Sequence, residues 1–267
     1  MKTNIIYNKT SEQMHEIKDK SVNLIVTSPP YNIDIKYGNK TIKGKVIDSK
    51  GIKYNDNLNE NEYRKLLKDV FNECKRVLTD DGSIFINIKN RYQNGRIISP
   101  KWIEDYFEDM YLKNIIIWNF DWGGSTNKRF APRYEYVYWY TKEEKNYKFY
   151  LDSVKIPALN FRPDRYKSQT KNPSDVWKIS MVSGNFEERT THPAQFPERL
   201  IERIISCSTN QNDIVLDPFM GSGTTAVVAK KLNRNYIGYE IEKEYIQISN
   251  IRLDKCKKGE LLNERNV

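Results

Sequence analysis

The chain is poor in the residues that metal and redox sites require. Its 267 residues hold two histidines and three cysteines. Cys74, Cys207 and Cys256 are odd in number, far apart and without a Cys-x-x-Cys spacing, which speaks against a disulfide framework and against a structural zinc site. They read as core or surface thiols, and no metal is expected. His15 and His192 are too few for a zinc deaminase site, and His192 reads as a residue that shapes a turn. No apolar run approaches the length of a membrane span, and the Met-Lys-Thr-Asn start carries no targeting signal, so a soluble cytoplasmic protein is expected. Repeats and low-complexity tracts are also missing.

What the chain does have is enough apolar content, 38%, for one sizeable core, together with a marked excess of positive charge. Lys plus Arg number 44 against 35 Asp plus Glu, a net charge of +9. That balance favours a polyanionic partner, although a solvated basic surface would give it too.

Apolar periodicity alternates between strand and helix, the pattern of a mainly parallel α/β sheet covered on both faces. Asn4 to Tyr7 reads as a strand, and Ser11 as the cap of a short helix through about Ile17. A buried strand follows at Val22 to Thr27, then a lysine-rich stretch, Lys36 to Lys53, that reads as a mobile basic loop. Asn59 with Glu62 forms a capping pair for a helix whose Tyr63, Leu67, Val70, Phe71 and Cys74 share one face, closed by Asp80-Asp81-Gly82. Ser83 to Ile88 is a buried strand and Ser99-Pro100 starts a helix. Leu112 to Trp118 pairs with Tyr134 to Tyr140 as a hairpin at the sheet edge. From Thr141 to Arg189 the periodicity dissolves, marking an irregular lobe. Regular structure resumes with a helix at Pro197 to Ser208, a strand at Ile214 to Leu216, a helix at Thr224 to Leu232, a strand at Tyr236 to Tyr239 and a helix after Glu242.

Two strings stand where a buried strand opens into a loop, the position at which α/β sheets place their chemistry. Asp217-Pro218-Phe219-Met220-Gly221-Ser222-Gly223-Thr224-Thr225 follows the Ile214 strand. Its glycines, with Glu240 after the next strand, suit close backbone approach to a nucleoside and an acceptor for a ribose diol. Both a dinucleotide and S-adenosylmethionine need these features. Thr224 stands where a phosphate-cradling loop would carry lysine, which disfavours a nucleotide triphosphatase, and Asp217 suits a cationic sulfonium better than a pyrophosphate. A glycine turn that merely packs a helix on a strand is the plain alternative. The other string, Thr27-Ser28-Pro29-Pro30-Tyr31, follows the Val22 strand. An exocyclic amine on a nucleobase is a weak nucleophile because its lone pair is delocalised into the ring. Ser28 Oγ and a backbone carbonyl stiffened by Pro29 and Pro30 can accept both amine hydrogens, and Tyr31 offers a face on which an extruded base stacks. Alone, such a string is more often an ordinary turn; paired with the glycine string it is not.

Leu24 to Tyr31 resembles the catalytic motif of the S-adenosylmethionine-dependent DNA amino-methyltransferases, and Asp217 to Thr225 resembles their cofactor motif, in the order of the permuted beta group. His192-Pro193-Ala194-Gln195-Phe196-Pro197, Tyr236-Ile237-Gly238-Tyr239-Glu240 and Pro132-Arg133-Tyr134-Glu135-Tyr136-Val137 resemble further motifs of that group. The resemblance implies a circularly permuted Rossmann-like sheet of seven strands, one antiparallel, with a small irregular target-recognition lobe. Residues 1–140 would form the catalytic part, 141–190 the lobe and 191–267 the cofactor-binding part of one domain. It further implies catalytic Ser28, Pro29, Pro30 and Tyr31, and cofactor contacts from Asn8, Phe196, Asp217, Phe219, Gly221, Gly223, Thr224, Thr225 and Glu240. Asn8 stands where the family commonly has Asp. Lys43, Lys45, Arg162, Arg165 and Lys167 are the expected contacts to double-stranded DNA. Ser28 at the first catalytic position is the form that goes with cytosine N4 in this family, and adenine N6 is the alternative. A bacterial or phage source, a cognate restriction endonuclease and a homodimer accompany this reading. A dinucleotide-dependent oxidoreductase would leave Ser28 to Tyr31 idle, and a silent DNA-binding module would leave both strings idle.

Overall fold

Alternating apolar side chains along the central strands feed two separate cores, one on each face of a single large sheet. The computed structural model describes residues 1–260 except 34–39, 43, 44, 48–55, 126, 159–167 and 183–185. Within these, the sheet comprises β1 (Ile5–Tyr7), β2 (Val22–Thr27), β3 (Leu78–Ile88), β4 (Tyr111–Asn119), β5 (Tyr134–Thr141), β6 (Val176–Lys178), β7 (Ile214–Asp217) and β8 (Asn235–Tyr239). Their order is β1-β8-β7-β2-β3-β5-β4-β6, and β5 alone runs against the rest. The helices are α1 (Glu60–Val77), α2 (Glu198–Ser208), α3 (Thr224–Lys231) and α4 (Lys243–Lys255).

Leu24, Val26, Phe85, Val137, Trp139 and Val215 turn to the face covered by α2, α3 and α4. Ile25, Ile84, Ile86, Tyr138, Tyr140 and Leu216 turn to the other, against Tyr63, Leu67 and Phe71 of α1 and Ile103 and Phe107 beyond it. Side chains of this size contribute about 1.5 to 3 kcal/mol each when fully buried. Asn59 caps α1 by accepting the Asn61 backbone N–H.

Five expectations are revised. The sheet has eight strands rather than seven, because Val176–Lys178, inside the segment read as irregular, pairs in parallel with Ile117 to Asn119. The β4–β5 pair is therefore not the edge. No helix forms between Ser11 and Ile17: the Thr10 hydroxyl takes the Glu12 N–H and the Glu73 carboxylate takes the Met14 N–H, and the Ile17 N–H closes only a single turn onto the Met14 carbonyl. Asp80-Asp81-Gly82 does not lie outside the strand but in a bulge of β3, whose pairing with β2 shifts between Val22–Leu78 and Leu24–Ser83. Within the lysine-rich stretch, Lys40–Ile42 and Lys45–Ile47 pair as an antiparallel hairpin.

β7 leads through α3 to β8 on one side, and β2 leads through α1 to β3 on the other. The connections diverge between β7 and β2, so the crevice beyond their ends is the topological switch point where open α/β sheets bind ligands.

Candidate active site

Both strings end at that crevice, and a buried carboxylate joins them. Asp217, the last residue of β7, is inaccessible to solvent. Its Oδ1 accepts the Thr27 hydroxyl at 2.9 Å and the Phe219 N–H at 3.0 Å, and its Oδ2 accepts the Thr225 hydroxyl at 2.7 Å. The end of β2, the glycine loop and the first turn of α3 are thereby fixed to one group. Burial raises the Asp217 carboxyl to about 6, opposed by the same hydrogen bonds. Asp217 is not among the residues that line the crevice; its three hydrogen bonds hold the segments that do.

Two cavities open here. The larger, about 360 Å³, is lined by Ser28, Tyr31, Phe219, Gly221, Tyr239 and Glu240 among others. The Glu240 carboxylate accepts the Gly221 N–H on one oxygen and the Glu242 N–H on the other, each at 2.8 Å. Burial raises it to about 7. Gly221 has φ +52°, and a Cβ there would come within 3.0 Å of His192 Nε2. The glycine thus permits both the left-handed turn and the seating of the histidine. The smaller cavity, about 150 Å³, is lined by Ser28, Tyr31, Asn87, Glu135, Trp118 and Phe196 among others. Ser28, Tyr31, His192 and Ala194 line both.

The loop that carries Ser28 and Tyr31 is anchored from three sides. The Tyr63 hydroxyl of α1 donates to the Pro30 carbonyl at 2.9 Å. Asp56 accepts the N–H groups of Asn32 and Ile33. The Tyr31 hydroxyl lies 2.9 Å from Ser28 Oγ and 2.8 Å from Glu135 Oε2 on β5. Burial, then the Glu135 charge, holds the Tyr31 phenol well above its ordinary range. Lys89 Nζ sits 5.0 Å from the centre of the Tyr31 ring.

Of the residues singled out in the sequence, the crevice gathers Ser28, Pro29, Pro30, Tyr31, Phe219, Gly221 and Glu240. Thr224 and Thr225 are buried at the start of α3, and Gly223, at φ +79°, precedes them as the helix cap. Phe196 lies on the smaller cavity. Asn8 is exposed and lines neither cavity; its amide donates to the carbonyls of Glu240 and Ile241. Lys43, Arg162, Arg165 and Lys167 lie outside the described residues, and Lys45 is described in its backbone alone.

Two neighbours of the site, Glu135 and Arg252, carry no assigned role in the sequence, and a third, His192, reads there only as shaping a turn. Glu135 falls within a recognised string, but nothing local shows that β5 delivers its carboxylate to Tyr31. Arg252 reaches from α4 to the Ser222 carbonyl, the Thr224 hydroxyl and Glu198, holding the glycine loop to α2 and α3. His192 is seated against Gly221 and Tyr245, with Nδ1 accepting the Ala194 N–H. Burial lowers its imidazole to about 4, so it is neutral near pH 7, in keeping with a turn-shaping role. Trp177 packs in the core, with Arg203 over its ring.

The chain compares closely with known proteins. A family profile described as DNA methylase matches residues 22–250. The Type II methyltransferase M.BglII of Bacillus subtilis is 41% identical over 92% of this chain and 68% of its own length. DNA adenine methyltransferase YhdJ of Escherichia coli is 34% identical over 94% and 82%. Among solved structures, the cytosine-N4-specific PvuII DNA methyltransferase shares the fold, with a TM-score of 0.70 over 98% of this chain and 90% of that one, at 21% identity. The M1.HpyAVI–SAM complex is 28% identical, with a TM-score of 0.58 over 90% of each chain.

Proposed function

Because this chain belongs to the DNA methylase family, we propose that it moves a methyl group from S-adenosylmethionine to cytosine N4 in duplex DNA, with the base turned out of the helix. One observation carries this reading: the Ser28–Tyr31 loop and the glycine loop converge at the switch point between two cavities that share Ser28, Tyr31 and His192. The larger cavity fits the cofactor. Phe219 and Pro218 give its wall an apolar surface, Glu240 brings an acceptor suited to a ribose diol, and the charge of Asp217 beneath favours a cation. When bound, the cofactor supplies an electrophilic methyl on a sulfonium.

The smaller cavity takes the base. Ser28 Oγ accepts one hydrogen of the exocyclic amine and a carbonyl of the Pro29-Pro30 segment takes the other, which turns the lone pair toward the methyl. Asp217, Thr27 and Thr225 keep the two loops in register, and Gly223 and Thr224 let α3 start close beneath them. Asn8 acts at one remove, by holding the Glu240 and Ile241 backbone. Phe196 flanks the base rather than the cofactor.

DNA approaches over this end of the sheet. The β4–β5 connection rises there with exposed Trp122 and Phe130, and the Arg129 guanidinium stacks 4.3 Å over Tyr92. Phosphate contact falls to Lys43 and Lys45, and target reading to Arg162, Arg165 and Lys167 in the 141–190 lobe. Segments 1–140 and 191–267 act as one catalytic domain. A partner restriction endonuclease fits the resemblance to Type II methyltransferases; a homodimer is the assembly to test.

The experiment is transfer of label from methyl-labelled S-adenosylmethionine to duplex DNA, followed by digestion to nucleosides. N4-methyldeoxycytidine supports the reading. N6-methyldeoxyadenosine, the product class to which the similarity with YhdJ points, moves the target to adenine and leaves the reaction class standing. No transfer to any duplex overturns it.

A further inference from the structure

Ser28 and Tyr31 share a hydrogen bond whose direction neither group determines, since each hydroxyl can donate or accept. The direction matters for an amine target. If Ser28 directed its proton outward, it would bond to the amine nitrogen and draw off the electron density needed for attack. If its proton is engaged by Tyr31, only oxygen lone pairs face the amine.

Glu135 decides between these. Its Oε2 lies 2.8 Å from the Tyr31 hydroxyl, and a carboxylate only accepts. Asn87 Oδ1 lies 3.3 Å from the same hydroxyl and is turned toward it because the Asn87 amide nitrogen donates to the Tyr136 carbonyl at 3.2 Å. The single phenol proton therefore points at acceptors on its far side, and the phenol oxygen is left to accept from Ser28. We propose that Glu135 is a positioning residue for the amine acceptor: by holding the Tyr31 proton it commits the Ser28 proton to Tyr31 and leaves Ser28 Oγ with only lone pairs toward the target amine. Transfer forms the N–CH3 bond, breaks the donor's S–CH3 bond and releases one amine proton to solvent, and Glu135 keeps its charge throughout. The inference rests on the amino-methyltransfer reading above.

The test uses the full chain in single-turnover transfer to duplex DNA, alongside cofactor affinity by calorimetry and base extrusion by the fluorescence of 2-aminopurine at the target position. Glu135→Ala should slow the transfer step by about 10- to 100-fold, the scale of one lost hydrogen bond to a charged group, because the longer Asn87 contact remains. Glu135→Gln, which can still present an amide oxygen to Tyr31, should restore most of that rate. Cofactor affinity and base extrusion should stay at wild-type values in both. A wild-type rate in Glu135→Ala overturns the proposal, as does a rate loss matched by equal losses of affinity or extrusion, which marks a merely structural role. A substrate-free readout separates this from failure of the function itself. In protein carrying 3-fluorotyrosine, the Tyr31 fluorine resonance, assigned through Tyr31→Phe, should move in Glu135→Ala and move less in Glu135→Gln. An unmoved resonance overturns the proposal even if transfer to DNA is absent.

Discussion

Single atoms at the crevice have separable duties, and substitutions should split them. Ser28 meets the amine mainly as it becomes a nucleophile, so Ser28→Ala is expected to lower the single-turnover rate by about 100-fold or more while cofactor affinity stays near wild type. Calorimetry beside quenched-flow transfer checks both. Glu240 gives a pH signature. Its carboxyl is raised to about 7 by burial, so below that value it is increasingly protonated and loses an acceptor for a diol. Affinity for S-adenosylmethionine should weaken as pH falls through about 7, by up to about tenfold per unit, and Glu240→Gln should flatten that dependence. The ligand-free protein should show the opposite trend. Glu240 and Asp217 both have folded values above their ordinary ones, so the native state holds extra protons between about pH 4 and 7. Their contribution to stability is full below about pH 4 and is lost as pH rises to 7. Thermal unfolding across that window, with and without Asp217→Asn and Glu240→Gln, reads the sign.

Among the elements, the joint between β2, β7 and α3 is the most sensitive. Asp217→Ala strands the buried hydroxyls of Thr27 and Thr225 and the Phe219 N–H, and it should destabilise the fold by about 2 to 4 kcal/mol. Cofactor affinity and transfer should fall together, because one carboxylate registers both loops. Asp217→Asn, which keeps one acceptor and most of the volume, should lose less. Denaturant melts and calorimetry on the pair test this; a fully stable Asp217→Ala variant that lost only cofactor affinity would return the residue to the direct ligand contact expected from the sequence. Arg252 and Glu198 illustrate the same logic from the other side, since α4 and α2 reach back to hold the glycine loop that α3 begins.

At the scale of the molecule, net positive charge meets a polyanion. With +9 overall and lysines spaced through 36–53, binding to any duplex should weaken steeply with salt. Changing Lys43 and Lys45 to Ala should weaken all duplexes alike and flatten the log–log salt slope by about one unit per lost phosphate contact. Changing Arg162 or Arg165 should instead alter which sequence is modified. Titrations of cognate and unrelated duplexes over a salt series distinguish the two, and loss of sequence choice from the lysine pair with its salt slope intact would reverse the assignment.

Local sequence determined the strands, the helices after Asn59 and Pro197, and the two strings at their ends, because apolar periodicity, capping residues and glycine placement act over a few positions. It misjudged the segment from Ser11 to Ile17, where distant Glu73 takes an amide, and Val176–Lys178, whose partner is β4. Family resemblance singled out Ser28, Phe219, Gly221 and Glu240, and the fold gathers them at one crevice. Tertiary structure alone tied Asp217 to the Thr27 hydroxyl of the neighbouring strand, turned Asn8 toward backbone carbonyls, and delivered Glu135 from the antiparallel strand to the Tyr31 hydroxyl. These are pairings between residues about a hundred or more positions apart, fixed by strand order and register, and no local pattern encodes which side chain will meet which across a sheet.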